Sequence, residues 1–362
     1  MEYQHGGDIY GEKQIALDFS VNTNPLGMPP SVRQAVLASS GSWEQYPDSL
    51  CRRLRTELAA SCALPPELLR CGNGASELLY SLAVALRPRR ALLLAPCFSE
   101  YQQALEAVGC EVDLLLLREE ENFSLQAAGD RLWERLLSTE APELLILANP
   151  NNPNGAAVPA DWLERLAALC EERGLLLVVD ECFQWFVEES KAGSLLPYFR
   201  EHPEGRSKLI ILNAFTKIFA MAGLRLGYAW VGDPQILEAL DRCRQPWSVS
   251  APAEAAGLAA LTEQDFAKKT VKLVAGERAF LSEGLKGLGF RVYPSEANYL
   301  LFRASQPIDY LEECRKRGLL IRSCANYQGL DARYYRVAVR TRKENEQLLA
   351  CLKAIGQGEK EE

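Results

Sequence analysis

Five short apolar runs, at residues 91–95, 112–117, 144–148, 175–179 and 209–212, mark the first two-thirds of the chain. Each is continuous rather than alternating, the pattern of strands covered on both faces. Between them lie amphipathic stretches such as 162–173, with apolar residues at helical spacing. That alternation predicts an α/β fold around a central, mostly parallel sheet. A further strand-like segment runs through Leu69 and Arg70 and stops at Cys71-Gly72-Asn73-Gly74-Ala75-Ser76-Glu77, with a helix expected from Leu78. After Pro246 the pattern changes. A long charged segment, 263–286, carries apolar residues at helical spacing. Short strands (290–293, 299–302, 335–339) then mix with helices near 308–317 and from 342. This predicts a smaller α+β domain. The opening segment contains Asn24-Pro25-Leu26-Gly27, which no long helix tolerates; it is expected to form an arm across a site. The expected organisation is an arm at 1–30, a large domain at 31–245 and a small domain at 246–362.

Length agrees with two packed domains, since 362 residues exceed one small core. The net charge of −8 argues against a nucleic-acid surface, although a pocket with two or three arginines can still take a phosphorylated small molecule. No apolar run is long enough to span a bilayer. The start, Met1 to Gly7, has neither the basic nor the apolar region of a signal peptide. The 11 cysteines include no C-x-x-C pair and only two histidines accompany them, so neither a metal site nor a disulfide framework is expected. Free thiols in a reducing cytoplasm are the reading that follows.

Ligands of open α/β sheets bind beyond the carboxyl ends of the strands, and the polar residues of this chain gather at such ends. The glycines before Ala75 and Ser76 make a phosphate cradle at a helix N-terminus; a plain capped turn would use the same residues. The run 144–148 leads into Asn149-Pro150-Asn151-Asn152-Pro153-Asn154-Gly155, which any proline-punctuated loop also explains. The run 175–179 leads into Asp180-Glu181, an acid that needs a charged partner, a function or a capping role. The run 209–212 leads into Asn213-Ala214-Phe215-Thr216-Lys217. A lysine there either snorkels to solvent or serves as an amine held in its neutral form by desolvation. Arg225 follows beside a glycine and has the donor fork for a phosphate. Together these are the protein groups that pyridoxal 5′-phosphate (PLP) requires.

With the motifs P-N-N-P-x-G, D-E and T-K-x-x-A-x-x-G-L-R-x-G-Y in place, the chain resembles the class I/II aminotransferases of PLP fold type I, from about Phe19 to the last helix. The resemblance implies that Lys217 carries the cofactor and that Asp180 pairs with its ring nitrogen. It implies that Asn152 bonds the ring oxygen and that Ala75, Ser76, Thr216 and Arg225 hold the phosphate. Phe98 is the expected ring-stacking aromatic, with Tyr101 its competitor. Tyr46 resembles the tyrosine that reaches the partner subunit's phosphate, which implies a homodimer with shared active sites. Three positions depart from the family pattern. Ala214 stands where a serine is common, Phe183 where a tyrosine usually bonds the ring oxygen, and Asn154 where threonine is commonest; the last reads as a tolerated loop change.

Within the family, two branches compete: histidinol-phosphate aminotransferases and the L-threonine-O-3-phosphate decarboxylases of cobalamin biosynthesis. The decarboxylase branch is the more similar. Its features here are His5-Gly6-Gly7, the stretch from Phe19 to Gly27, Asp180-Glu181-Cys182-Phe183, and the C-terminal stretches 321–330 and 334–340. That resemblance assigns substrate contacts to His5, Gly6, Asn22, Asn152, Arg322 and Arg336, with Arg340 structural. A substrate with a carboxylate and a phosphate suits two arginines. The bond lost at Cα is the one held perpendicular to the cofactor ring, so where the arginines pin the two anions decides between decarboxylation and transamination.

Overall fold

The computed structural model describes residues 5–10, 14–191 and 193–358. The arm contributes β1 (Leu17–Asp18). Seven strands then build the central sheet: β2 (Leu69–Asn73), β3 (Arg90–Ala95), β4 (Glu111–Leu116), β5 (Leu144–Ala148), β6 (Leu176–Asp180), β7 (Leu209–Ala214) and β8 (Leu226–Val231). Their order is β2-β8-β7-β6-β5-β3-β4. Neighbours from β4 through β7 pair in parallel, and β8 runs antiparallel to both β7 and β2. Four of the five apolar runs became inner strands, and every residue of β5, β7 and β8 is buried, whereas the run 112–117 became the edge strand β4, none of whose residues is buried. The carboxyl ends of β2, β3, β5, β6 and β7 therefore share one edge.

Strand β8 was read as the tail of a motif rather than as a strand. Its second residue is a glycine, which weakens a strand pattern and marks close backbone approach. A Cβ on Gly227 would collide with the main chain of Gly74 and Ala75. The glycine lets β8 lie against the start of the next helix. That helix begins at Gly74, earlier than expected, and runs to Leu86.

The second layer holds β9 (Arg291–Val292), β10 (Tyr299–Arg303), β11 (Leu319–Leu320), β12 (Arg322–Ser323) and β13 (Tyr334–Ala338). Four of these form the antiparallel sheet β12-β13-β10-β9, while β1 pairs in parallel with β11. Phe19, next to β1, is fully buried in this smaller core beside Leu281, Leu285 and Val337. The arm is thus built into the small domain.

Helix Ala251–Ala260, assigned above to the small domain, belongs with the large one. Its Ala253, Ala256 and Ala260 lie in the main core, and small residues let it pack closely on helix Pro30–Ala38. The change of core falls inside helix Gln264–Gly287: Val274 belongs to the main core, Leu281 and Leu285 to the second. Among the described residues no helix is long and apolar enough to cross a membrane.

Candidate active site

At the end of β2 the chain turns through Gly74 (φ +77°) directly into a helix, so Ala75 and Ser76 occupy its first turn. Their N–H groups and the helix dipole favour an anion there. Arg225 closes this cradle: a Cβ on Gly74 would run into its guanidinium. The preceding loop is braced by groups the sequence did not single out. Glu77 accepts from Asn73 N (3.2 Å) and lies 3.5 Å from Arg244 Nε, and Arg244 Nη2 donates to Cys71 O. Ala214 lines the cavity without a hydroxyl to offer.

Lys217 follows β7 and is half-buried in the cavity wall. Burial, then the charges of Arg336 and Arg225, lower its pKa to about 8, against the opposing pull of Cys182 and Asp180. Its own carbonyl and that of the next residue are held by Asn24 of the arm. Asn24 N donates to Lys217 O (3.0 Å), and Asn24 Nδ2 donates to Ile218 O and Thr270 Oγ1 (both 2.7 Å). Asn24-Pro25 was read only as a helix breaker; its buttressing role became visible only in three dimensions.

Asp180 ends β6 facing the cavity. Its Oδ1 accepts from Cys182 N (2.9 Å), a capping contact, and its Oδ2 accepts from the Tyr101 hydroxyl (2.7 Å). Burial and the Asp180 charge raise the Tyr101 pKa well above the usual phenol value, which keeps it a donor. Tyr101 is therefore committed to Asp180. Phe98 meets it edge-on at 5.6 Å and remains the half-buried ring at the cavity wall. Glu181 turns the other way, accepting from Ser194 Oγ and Leu195 N (both 2.7 Å), with burial raising its pKa to about 7. Asn154 differs from expectation. It is fully buried, its Oδ1 accepts from Asn151 Nδ2 (2.9 Å) and its Nδ2 donates to Phe123 O (3.0 Å), so it is a fixed part of the loop.

The small domain supplies the opposite wall. Arg322 and Arg336 are direct cross-strand partners in the β12–β13 pair, and both are buried. Side chains of partnered residues leave the same face of a sheet. Arg336 Nη1 donates to Asn152 Oδ1 (2.6 Å) and Nη2 to Ser20 O (3.0 Å). Over this lies the arm. His5 Nε2 is 3.3 Å from Glu100 Oε1, the His5 ring meets Phe98 edge-on at 6.3 Å, and Gly7 N donates to Ser20 Oγ (2.7 Å). Gly6 sits where a Cβ would strike Ser20 O. Gly6→Ala is expected to lift the arm. Substrate KM should rise about tenfold or more, as for a lost positioning contact, while PLP affinity stays within twofold of the parent; kinetics and a PLP titration check both.

One cavity of about 350 Å³ is lined by His5, Gly6, Asn22, Ala75, Ser76, Phe98, Asn152, Asp180, Thr216, Lys217, Arg225, Arg322 and Arg336, and also by Tyr101, Cys182, Phe183 and Tyr327. Of the residues assigned to cofactor or substrate from the sequence, only Tyr46 is elsewhere. It is 81% exposed on the outer surface and stacks on Trp247 at 4.6 Å. The cavity has the size of a small-molecule site, and two buried polar atoms of its lining, Asn22 Oδ1 and Arg336 Nε, have no partner among the described residues.

The family described as aminotransferase class I and II matches residues 14–352. The chain belongs to that family. It is 37% identical to a threonine-phosphate decarboxylase of Salmonella typhimurium, over 97% of this chain and 96% of the relative. The histidinol-phosphate aminotransferase of Clostridium acetobutylicum superposes with a TM-score of 0.85 at 28% identity, covering 94% of this chain and 99% of that one. The Sinorhizobium meliloti histidinol-phosphate aminotransferase, solved with pyridoxal-5′-phosphate, superposes at 0.79 and 23% identity, covering 95% and 92%. Family members are PLP enzymes of fold type I, as this chain is. The cavity fits that cofactor: a cradle for its phosphate that a Cβ on Gly74 would disturb, a half-buried lysine of lowered pKa in its lining, and a carboxylate held at a strand end.

Proposed function

We propose that the chain removes CO2 from an O-phosphorylated amino acid, with L-threonine O-3-phosphate as substrate and the phosphate ester of 1-amino-2-propanol as product. The observation that carries this reading is the arginine pair. Two buried guanidiniums on facing positions of β12 and β13 look into a cavity that already has a separate cradle for the cofactor phosphate. Like charges placed opposite each other are destabilising, so the pair makes sense as a receptor for two anions, a carboxylate and a phosphate. The 37%-identical threonine-phosphate decarboxylase supports the same substrate class, and the resemblance to the decarboxylase branch supports a place in cobalamin biosynthesis.

In this reading Ala75, Ser76, Thr216 and Arg225 hold the cofactor phosphate, Asn152 donates to the ring oxygen and Asp180 faces the ring nitrogen. PLP, when bound, supplies the electron sink for the bond broken at Cα. The chain does the rest. Arg322 and Arg336 clamp the ends of the substrate, with Asn22 beside them. His5 and Gly6 cover the site and keep water out. Lys217 Nζ, whose lowered pKa leaves it able to hold or release a proton near neutral pH, returns a proton to Cα after CO2 departs. The exposed Tyr46–Trp247 stack, with Leu37, Trp43 and Leu50 also exposed in the segment around Tyr46, supports a homodimer in which Tyr46 serves the neighbouring site. Free thiols at all 11 cysteines support a cytoplasmic enzyme.

The test is incubation with O-phospho-L-threonine, O-phospho-L-serine, and histidinol phosphate plus 2-oxoglutarate, scoring CO2 against glutamate. CO2 from phospho-threonine with little glutamate is expected. Glutamate formation faster than CO2 release makes the enzyme an aminotransferase instead. Rapid CO2 from phospho-serine alone keeps the chemistry and corrects the substrate, a choice resting on one methyl group worth about 1–3 kcal/mol.

A further inference from the structure

Tyr327 lines the cavity, is buried, and was not among the residues singled out from the sequence. The Arg322 guanidinium lies over its ring, 5.7 Å from the ring centre. The Tyr327 hydroxyl donates to Asn152 Oδ1, 3.3 Å away. The same oxygen accepts from Arg336 Nη1 at 2.6 Å. An amide oxygen has two lone pairs, and both are taken. The opposite orientation would set an NH2 against a guanidinium, donor against donor. Asn152 Nδ2 donates to no acceptor among the described residues, on a side chain that lines the cavity.

We propose that Tyr327 is a positioning residue for Asn152, keeping the amide NH2 turned to the cofactor's ring oxygen while Arg336 is engaged with substrate. Arg336 alone cannot guarantee that orientation, because an anion competes for the donors that hold Asn152. Tyr327 is neutral, fixed by its buried ring, and indifferent to that competition. The requirement is sharper here because Phe183 offers no hydroxyl where the family usually has one. The inference rests on the reading of Asn152 as a cofactor contact.

A double-mutant cycle in the full chain tests it. Tyr327→Phe, Asn152→Ala and the double variant are compared by PLP titration of the cofactor-free protein and by the pH midpoint of the bound cofactor's visible band. Thermal melts of the cofactor-free proteins monitor folding. Asn152→Ala should weaken PLP binding and move the midpoint. Tyr327→Phe should weaken binding about two- to tenfold, the range for one neutral hydrogen bond, and should add nothing in the Asn152→Ala background. No effect of Tyr327→Phe in the parent, or an undiminished effect in the Asn152→Ala background, overturns the proposal. If Asn152→Ala itself changes neither readout, the assignment of Asn152 as a cofactor contact falls, and this inference with it.

Discussion

Lys217→Ala is expected to abolish the visible absorption of covalently held PLP and to lower turnover by on the order of a millionfold, as removal of an enzyme's covalent nucleophile does. Lys217 is the lysine of the cavity lining, half-buried after β7, and Asn24 holds its carbonyl and that of Ile218. An amine with a pKa lowered to about 8 has a substantial neutral fraction near physiological pH, which an ordinary lysine does not. Borohydride treatment followed by peptide mass mapping should mark Lys217 in the parent and no residue in the variant. A normal band in Lys217→Ala would remove this lysine from the chemistry altogether.

Asp180→Asn should leave PLP bound while turnover falls roughly 10²- to 10³-fold, the cost of removing one preorganised group from developing charge. The carboxylate is held by Tyr101 on one oxygen and by Cys182 N on the other, so it is fixed before any ligand arrives. The substitution keeps the volume and removes the charge. PLP stoichiometry and kcat together check it. Full turnover would reduce Asp180 to a cap for the Cys182 N–H.

Much of this was legible in the chain because it is written locally. Continuous apolar runs gave the inner strands, and the chemistry sat at their ends, as the physics of open sheets requires. What escaped depended on contacts between distant segments. Strand β8 hid behind Gly227, whose purpose is a close approach to Ala75 some 150 positions earlier in the chain. Tyr101 and Tyr327 look like core aromatics until Asp180 and Asn152 appear beside their hydroxyls. Helix Ala251–Ala260 has small residues on most sides, and only its packing on Pro30–Ala38 reveals which core it joins. Asn154 passed for a loop residue since nothing nearby in sequence announces that Asn151 and Phe123 use it.

The facing arginines of β12 and β13 also bear on endurance. Two desolvated cations on opposite rungs of a short ladder are a liability in the folded state, and apolar side chains there would make a sturdier protein. The fold keeps them at a point where it is weaker than it has to be. An anion that binds only the native form shifts the unfolding equilibrium by mass action. On the proposed reading, in which these arginines receive the substrate's anions, occupancy restores resistance to unfolding that they withhold, and the lifetime of this protein is coupled to the supply of what it consumes.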